Sequence, residues 1–245
     1  MKSSPEQRGG GPDRNAPTIL IVSAGRGLGY AMAEEFLTRE WNVIGTVRPG
    51  AARTGLHALA EAVTGRVEIE TLDVNEPEQI ADLRKRLAGR ALDILFVNAG
   101  TTTADQDVRI GDVTTEEFMT VMITHALSPM RVIESLVDLV PDSGLIGAMS
   151  SGQGSIANNE NGRREVYRGS KAALNMFMRS FAARQPEPKR AMLLMAPGWI
   201  RTDLGGPGAP FSIEETIPSI VSVMLARRGT SGLAFLDRFG RPVPW

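Results

Sequence analysis

Short runs of β-branched and aliphatic residues alternate with helix-length segments along almost the whole chain. No other feature constrains the fold so strongly, because strands that alternate with helices are joined by crossovers and lie parallel. Thr18 to Val22 is the first run, apolar throughout, as expected of a strand covered on both faces. A glycine-rich turn, Ser23 to Gly29, leads to a helix expected over Tyr30 to Glu40, with Met32, Phe36 and Leu37 on one side. Further strands are expected at Asn42 to Val47, Val67 to Leu72, Leu92 to Val97, Gly144 to Met149, Arg190 to Ala196 and Gly232 to Leu236. Helices are expected at Leu56 to Val63, Pro77 to Ala88, Thr115 to Leu139, Glu165 to Ala183 and Ile213 to Ala226. Pro77 sits near a first turn, where its missing N–H costs little, whereas Pro129 is expected to bend the long helix that holds it.

The pattern carries no repeat and no break in composition, so residues 17–245 are expected to form α/β structure as one doubly wound, Rossmann-fold domain. Its sheet would have about seven parallel strands with helices on both faces. A chain of 245 residues supplies one such core and is short for two. Residues 1–16, rich in Gly, Pro, Ser and charge and without an apolar stretch, read as a disordered leader. A net charge of -1 gives no electrostatic case for nucleic acid or a membrane surface, and no apolar run approaches a membrane span. The chain has no cysteine, which excludes disulfides and thiol chemistry and fits a cytoplasmic location. With His57 and His125 as its two histidines, a histidine-rich metal site is not expected.

Ligands of doubly wound sheets sit beyond the carboxyl ends of the strands, so chemistry is expected in the loops that follow them. The first, Ser23-Ala24-Gly25-Arg26-Gly27-Leu28-Gly29, is suited to cradling a pyrophosphate: glycines allow close backbone approach, and a helix N-terminus follows. No acid occurs from Val43 to Arg48, where one would bind free ribose hydroxyls; Arg48 and Arg26 instead suit a 2′-phosphate. Asp73-Val74 ends the third strand, and Asp73 is either a ligand residue or a cap for the helix near Pro77. Tyr167 and Lys171 stand four apart on one helix face. An ammonium beside a phenol would lower its pKa and fit it for proton transfer near neutral pH.

These loops, in this order, resemble those of the short-chain dehydrogenase/reductase family, and the likeness runs from Thr18 to Trp245. Ser23 to Gly29 resembles the family's glycine loop. Asn98-Ala99-Gly100 is similar to its Asn-Asn-Ala-Gly step, and Pro197-Gly198-Trp199-Ile200-Arg201-Thr202 to its Pro-Gly loop. The resemblance implies that Asp73 and Val74 flank the adenine and that Pro197, Gly198, Trp199, Ile200 and Thr202 hold the nicotinamide. It implies Ser151 as the residue that binds the substrate oxygen, with Ser150 the alternative. Tyr167 would be the general acid/base, with Lys171 on the nicotinamide ribose. Ser151 lies sixteen positions before Tyr167, and the sequence Ser151-Gly-Gln-Gly-Ser155 is similar to the C-factor-like and carbonyl-reductase branch.

The likeness departs at three positions. Ser23 stands for a loop glycine and Val97 for an asparagine. His125 stands where the family places a catalytic asparagine that supports a relay water; it would either keep that relay or serve a structural hydrogen bond. The Gly- and Pro-rich segment 203–212 reads as a lid or a rigid surface loop, and Phe211, Trp199 and Met149 as candidate lining of an apolar pocket. Two functions are therefore expected. The first is an oxidoreductase interconverting a small carbonyl compound and an alcohol, with NADP(H) as the preferred cofactor, NAD(H) possible and no metal. The second is an NADP(H)-binding regulatory protein with little turnover. The family resemblance implies a homodimer or homotetramer formed through the helices at 115–139 and 165–183.

Overall fold

The computed structural model describes residues 16–186 and 190–245; the expected leader, apart from Ala16, lies outside them. The strands are β1 (Thr18–Val22), β2 (Asn42–Val47), β3 (Val67–Thr71), β4 (Ile94–Val97), β5 (Leu145–Met149), β6 (Ala191–Ala196) and β7 (Gly232–Asp237). Between them come α1 (Gly27–Thr38), α2 (Gly55–Ala62), α3 (Pro77–Arg86), α4 (Thr115–Met122), α5 (Ser128–Leu136), α6 (Glu165–Arg184) and α7 (Ile213–Arg227). The seven strands form one sheet in the order β3-β2-β1-β4-β5-β6-β7, every pairing parallel.

Period-two alternation divides each strand between two cores. Leu20 and Val22 face one with Leu95 and Val97, and α3, α5 and α6 cover it through Leu83, Ile133 and Met178. Ile19 and Ile21 face the other with Ile94 and Phe96, beneath Phe36 of α1, Leu56 of α2 and Ile220 of α7. The uniformly apolar strands are thus explained by burial on both faces. The chain leaves β1 in one direction for β2 and β3, then returns to place β4 on its other side. This switch point opens a crevice between the loops after β1 and β4.

Two elements differ from the expectation. α1 begins at Gly27 rather than Tyr30, inside the glycine-rich loop. A Cβ at Gly29 would lie 2.1 Å from the Ser23 carbonyl oxygen and 2.8 Å from Asn98 Nδ2, so glycine there lets the first helical turn press onto the end of β1. The segment 115–139 is not one helix bent at Pro129. A π-helical turn, Ile123–Leu127, separates α4 from α5, with the Ser128 N–H donating to the Ile123 carbonyl, and Val137–Leu139 is 3-10. Pro129 has no N–H to give the carbonyl four residues back and crowds it, a conflict that a wider turn relieves. The irregularity therefore precedes the proline, and His125 lies at its centre.

Candidate active site

A cavity of about 530 Å³ occupies the crevice at the switch point. The loop after β1 contributes Ser23, Arg26, Gly27 and Leu28, and the loop after β4 Asn98 to Thr102. Met149 ends β5 and residues 150–153 follow it; Pro197 to Ile200 and Thr202 to Gly205 follow β6. Arg164, Tyr167 and Lys171 from the start of α6, with His125, complete the wall. Expected residues from four separate loops thus meet around one space, as the order of strands requires.

Five expected cofactor residues stand off this wall. Gly29 packs behind it. Gly25 abuts Thr54 and Val47, at the end of β2. Arg48 is exposed just past that strand end, beside the glycine loop. Asp73 accepts from the Asn75 backbone N–H at 2.9 Å in a local turn, and its own N–H donates to Gln79 Oε1 at 2.8 Å. Glu76, not Asp73, is the N-cap of α3, so the capping alternative does not hold. Val74 is buried in the core. Ser23 keeps the backbone of the glycine it replaces, with φ of 69°. Its N–H donates to Thr46 Oγ1 at 2.8 Å and its carbonyl accepts from Asn98 Nδ2 at 3.1 Å, which together hold a strained turn between three strand ends.

Ser150 and Ser151 are separated by their partners. Ser150 is buried and donates to Asn175 Oδ1 at 2.6 Å, whereas the Ser151 hydroxyl accepts from the Gln153 N–H at 3.1 Å and shares the cavity lining with Tyr167. Burial pushes the Tyr167 phenol above its ordinary 10, against lowering by the Ser151 hydroxyl and the Arg164 guanidinium. Lys171 donates from Nζ to the Met149 carbonyl at 2.9 Å, and desolvation draws its pKa down to about 7. The expected lowering of Tyr167 by Lys171 is therefore corrected: the lysine is itself a desolvated group, and the phenol keeps its proton at neutral pH.

His125 is fully buried. Its Nε2 accepts from the Thr101 backbone N–H at 2.8 Å, so the ring proton sits on Nδ1, 2.8 Å from Ser170 Oγ. Ser170 Oγ in turn donates to the Tyr167 carbonyl at 2.8 Å. Burial, then the charge of Lys171, holds the imidazole well below its usual 6.5. With both nitrogens engaged, the ring has no site for a relay water, and the geometry selects the structural reading. Its plane stands perpendicular to the Tyr167 ring, centroids 5.3 Å apart.

The loop after β6 is tied to itself. Thr202 Oγ1 accepts from the Gly205 N–H at 3.0 Å and Trp199 Nε1 donates to the Gly205 carbonyl at 2.7 Å. Arg201 Nη1 donates to the carbonyls of Ala209 and Pro210. Of segment 203–212 only Asp203, Leu204 and Gly205 reach the cavity, so most of it is a braced surface loop. Asp203 pairs with Arg26 at 2.7 Å, closing the crevice between the loops after β1 and β6. Met149 and Trp199 line the cavity; Phe211 instead lies under the Arg238 guanidinium.

Thr101, Thr102, Gln153, Arg164, Ser170 and Leu204 were not singled out by the sequence. Gln153 lies two residues after the Ser-Ser step, a usable signal. Arg164 lies near the end of the polar stretch 157–165, where periodicity marks neither a helix start nor a side-chain direction.

The cavity fits a dinucleotide. Gly27 has open space around its Cβ position, helix N–H groups open onto the glycine loop, and Asn98 braces the crevice floor. The comparisons agree. Residues 22–221 match the family model for enoyl-(acyl carrier protein) reductase. A short-chain dehydrogenase/reductase from Burkholderia multivorans, solved with bound NADP, is 63% identical with a TM-score of 0.93, over 94% of this chain and 100% of that one. A carbonyl reductase from Pseudomonas aeruginosa PAO1 in complex with NADP is 33% identical with a TM-score of 0.86, again over 94% and 100%. The C-signal protein of Myxococcus xanthus is 31% identical over 156 residues, 63% of this chain and 93% of that protein.

Proposed function

Because the chain belongs to the short-chain dehydrogenase/reductase family and is an oxidoreductase of it, we propose that it reduces a small carbonyl compound to an alcohol with NADPH. The observation that carries this reading is that Ser151, Tyr167 and Lys171 line one cavity at the switch point, with Lys171 held on the Met149 carbonyl at 2.9 Å. When bound, NADPH supplies the hydride. Tyr167, protonated at neutral pH, gives its proton to the carbonyl oxygen, and Ser151 steadies the negative charge that develops there. The Lys171 ammonium would offset the negative charge left on the Tyr167 phenolate and would hold the ribose beside it. Leu28, Met149 and Trp199 keep water from the reacting carbon.

Arg48, exposed past the end of β2 with no acid from Val43 onward, favours the 2′-phosphate and hence NADP(H) over NAD(H), whereas Arg26, paired with Asp203 across the crevice, joins it only on leaving that pair. Asp73 and Val74 serve the adenine end, beyond the cavity. A homodimer or homotetramer is the proposed assembly.

Fluorescence titration of NADPH and NADH against wild type and Tyr167→Phe, with an NADPH-consumption screen on carbonyl compounds, tests the reading. The expected result is tighter binding of NADPH than NADH by both proteins, and turnover by wild type that falls at least ~100-fold in Tyr167→Phe. Binding without turnover on any compound would favour the regulatory alternative, which the rigid engagement of His125 motivates. Equal affinity for the two cofactors would remove the 2′-phosphate assignment.

A further inference from the structure

We propose that Arg164 receives the carboxylate of the substrate, so that the carbonyl compound this site takes is a short oxo acid. The proposal rests on the reductase reading and names its substrate class. Arg164 precedes α6 with φ 58° and ψ 46°, a left-handed conformation that a residue with a side chain adopts at a cost of about 1 kcal/mol or more. That backbone directs the guanidinium over the Tyr167 ring, with Cζ 4.8 Å from its centroid, on the wall of the cavity. A cation over a ring face takes up none of its N–H donors in hydrogen bonds. Nε and Nη2 of Arg164 are buried and have no hydrogen-bond partner among the described residues.

The neighbouring groups are occupied elsewhere. Glu165 accepts from the Ile110 backbone N–H at 3.1 Å, and Arg168 donates to Asn161 Oδ1 and the Arg163 carbonyl. On the same wall, Thr102 Oγ1 and Gln153 Oε1 are also buried without a partner. Unpaired buried polar groups are costly, and three such side chains lining one cavity, one of them over the reacting phenol, mark a polar occupant. Among polar groups, a carboxylate matches the guanidinium fork with two parallel charge-assisted hydrogen bonds. A neutral ketone would leave that fork unpaired, which penalises it. Held by its carboxylate, the substrate presents its carbonyl to Tyr167 and Ser151. The carbonyl π bond breaks, the carbon accepts hydride from NADPH and the oxygen the Tyr167 proton; NADP⁺ is left and the carboxylate is unchanged.

Arg164 could otherwise serve Tyr167 alone, lowering its pKa through its charge. That role would affect acidic and neutral substrates alike, and the test separates the two. Initial rates would be measured with NADPH for pyruvate, acetoacetate, 4-oxopentanoate and benzoylformate, each against its methyl ester, on wild type, Arg164→Gln and Arg164→Lys. The proposal expects wild type to favour the acid of at least one pair by roughly 10- to 100-fold in kcat/KM. In Arg164→Gln that ratio falls toward one, chiefly through KM, and Arg164→Lys restores part of it. An acid-to-ester ratio equal in all three proteins, whatever their absolute rates, would overturn it. A second measurement keeps the two readings apart: the melting temperature of the NADP-loaded proteins with benzoate or methyl benzoate. Stabilisation of wild type by benzoate alone, lost in Arg164→Gln, with no turnover of any compound, would keep the anion site and remove the reductase reading. Turnover of esters with no benzoate effect would do the reverse.

Discussion

Lys171 is buried with its ammonium on the Met149 carbonyl, and desolvation lowers its pKa from 10.5 to about 7. Between those values the unfolded chain binds a proton that the native protein does not, so stability rises with pH through this window. Tyr167 acts oppositely and later: its raised pKa means that the unfolded phenol ionises first, which lowers stability above about pH 10. In melting experiments without cofactor from about pH 6.5 to 9.5, wild type is expected to gain on Lys171→Met as pH rises. A difference between the two that does not vary with pH would contradict the burial assigned to this lysine. The pairing of Tyr167 with Lys171 was legible from their spacing, since a helix puts positions four apart on one face. Their charge states were not, because desolvation is set by β5 and the loop after it, which no local pattern places around the lysine. Arg164 was hidden for a similar reason: its role depends on a left-handed backbone and an open cavity, and the sequence there shows only a run of polar residues.

The π-helical turn between α4 and α5 joins the loop after β4 to α6. The Thr101 N–H binds His125, His125 binds Ser170, and Ser170 binds the carbonyl of Tyr167. A neutral, buried ring in this chain is a clamp, and its loss should appear in stability rather than in titration. His125→Asn is expected to lose about 1–3 kcal/mol, because the shorter side chain cannot span from Thr101 to Ser170 and leaves a buried group unpaired. The pH profile of turnover from about pH 6.5 to 8 should keep its shape, since burial holds the imidazole well below its usual 6.5 and so neutral there. Chemical denaturation with a pH–rate series checks both; a shifted profile with unchanged stability would return His125 to a proton relay. At this scale the sequence predicted a helical segment and a disturbance from Pro129, but not a π turn, since its width and position follow from tertiary packing around His125. The opposite error occurred at α1, where glycine content suggested a longer loop and close packing on β1 produced a helix.

Across the molecule, the alternation of apolar strands with helices made a parallel, doubly wound sheet legible, whereas the strand order β3-β2-β1-β4-β5-β6-β7 came from the tertiary pairing. The crevice location followed from it, because the strand order reverses between β1 and β4. The outer surface is less constrained by such rules, yet one region carries a physical signal. α4 and α6 adjoin, and they leave apolar side chains in solvent: Phe118 and Met119 on the first, Met176 and Phe177 on the second, the last two 59% and 43% exposed. Large apolar side chains grouped on adjoining helices favour a partner surface. A second copy meeting these helices would bury them on both sides, since a two-fold contact uses the same patch twice. Light scattering should therefore give at least twice the chain mass of 26.4 kDa at working concentration. Met176→Glu combined with Phe177→Glu should shift the protein to a monomer while its circular dichroism spectrum stays native, because both side chains lie outside the two cores. The active-site side chains come from one chain, but α6 carries both Tyr167 and this surface, so the monomer should also lose part of its turnover. A wild-type monomer, or a double variant that still assembles, would place the contact elsewhere and leave the apolar patch unexplained.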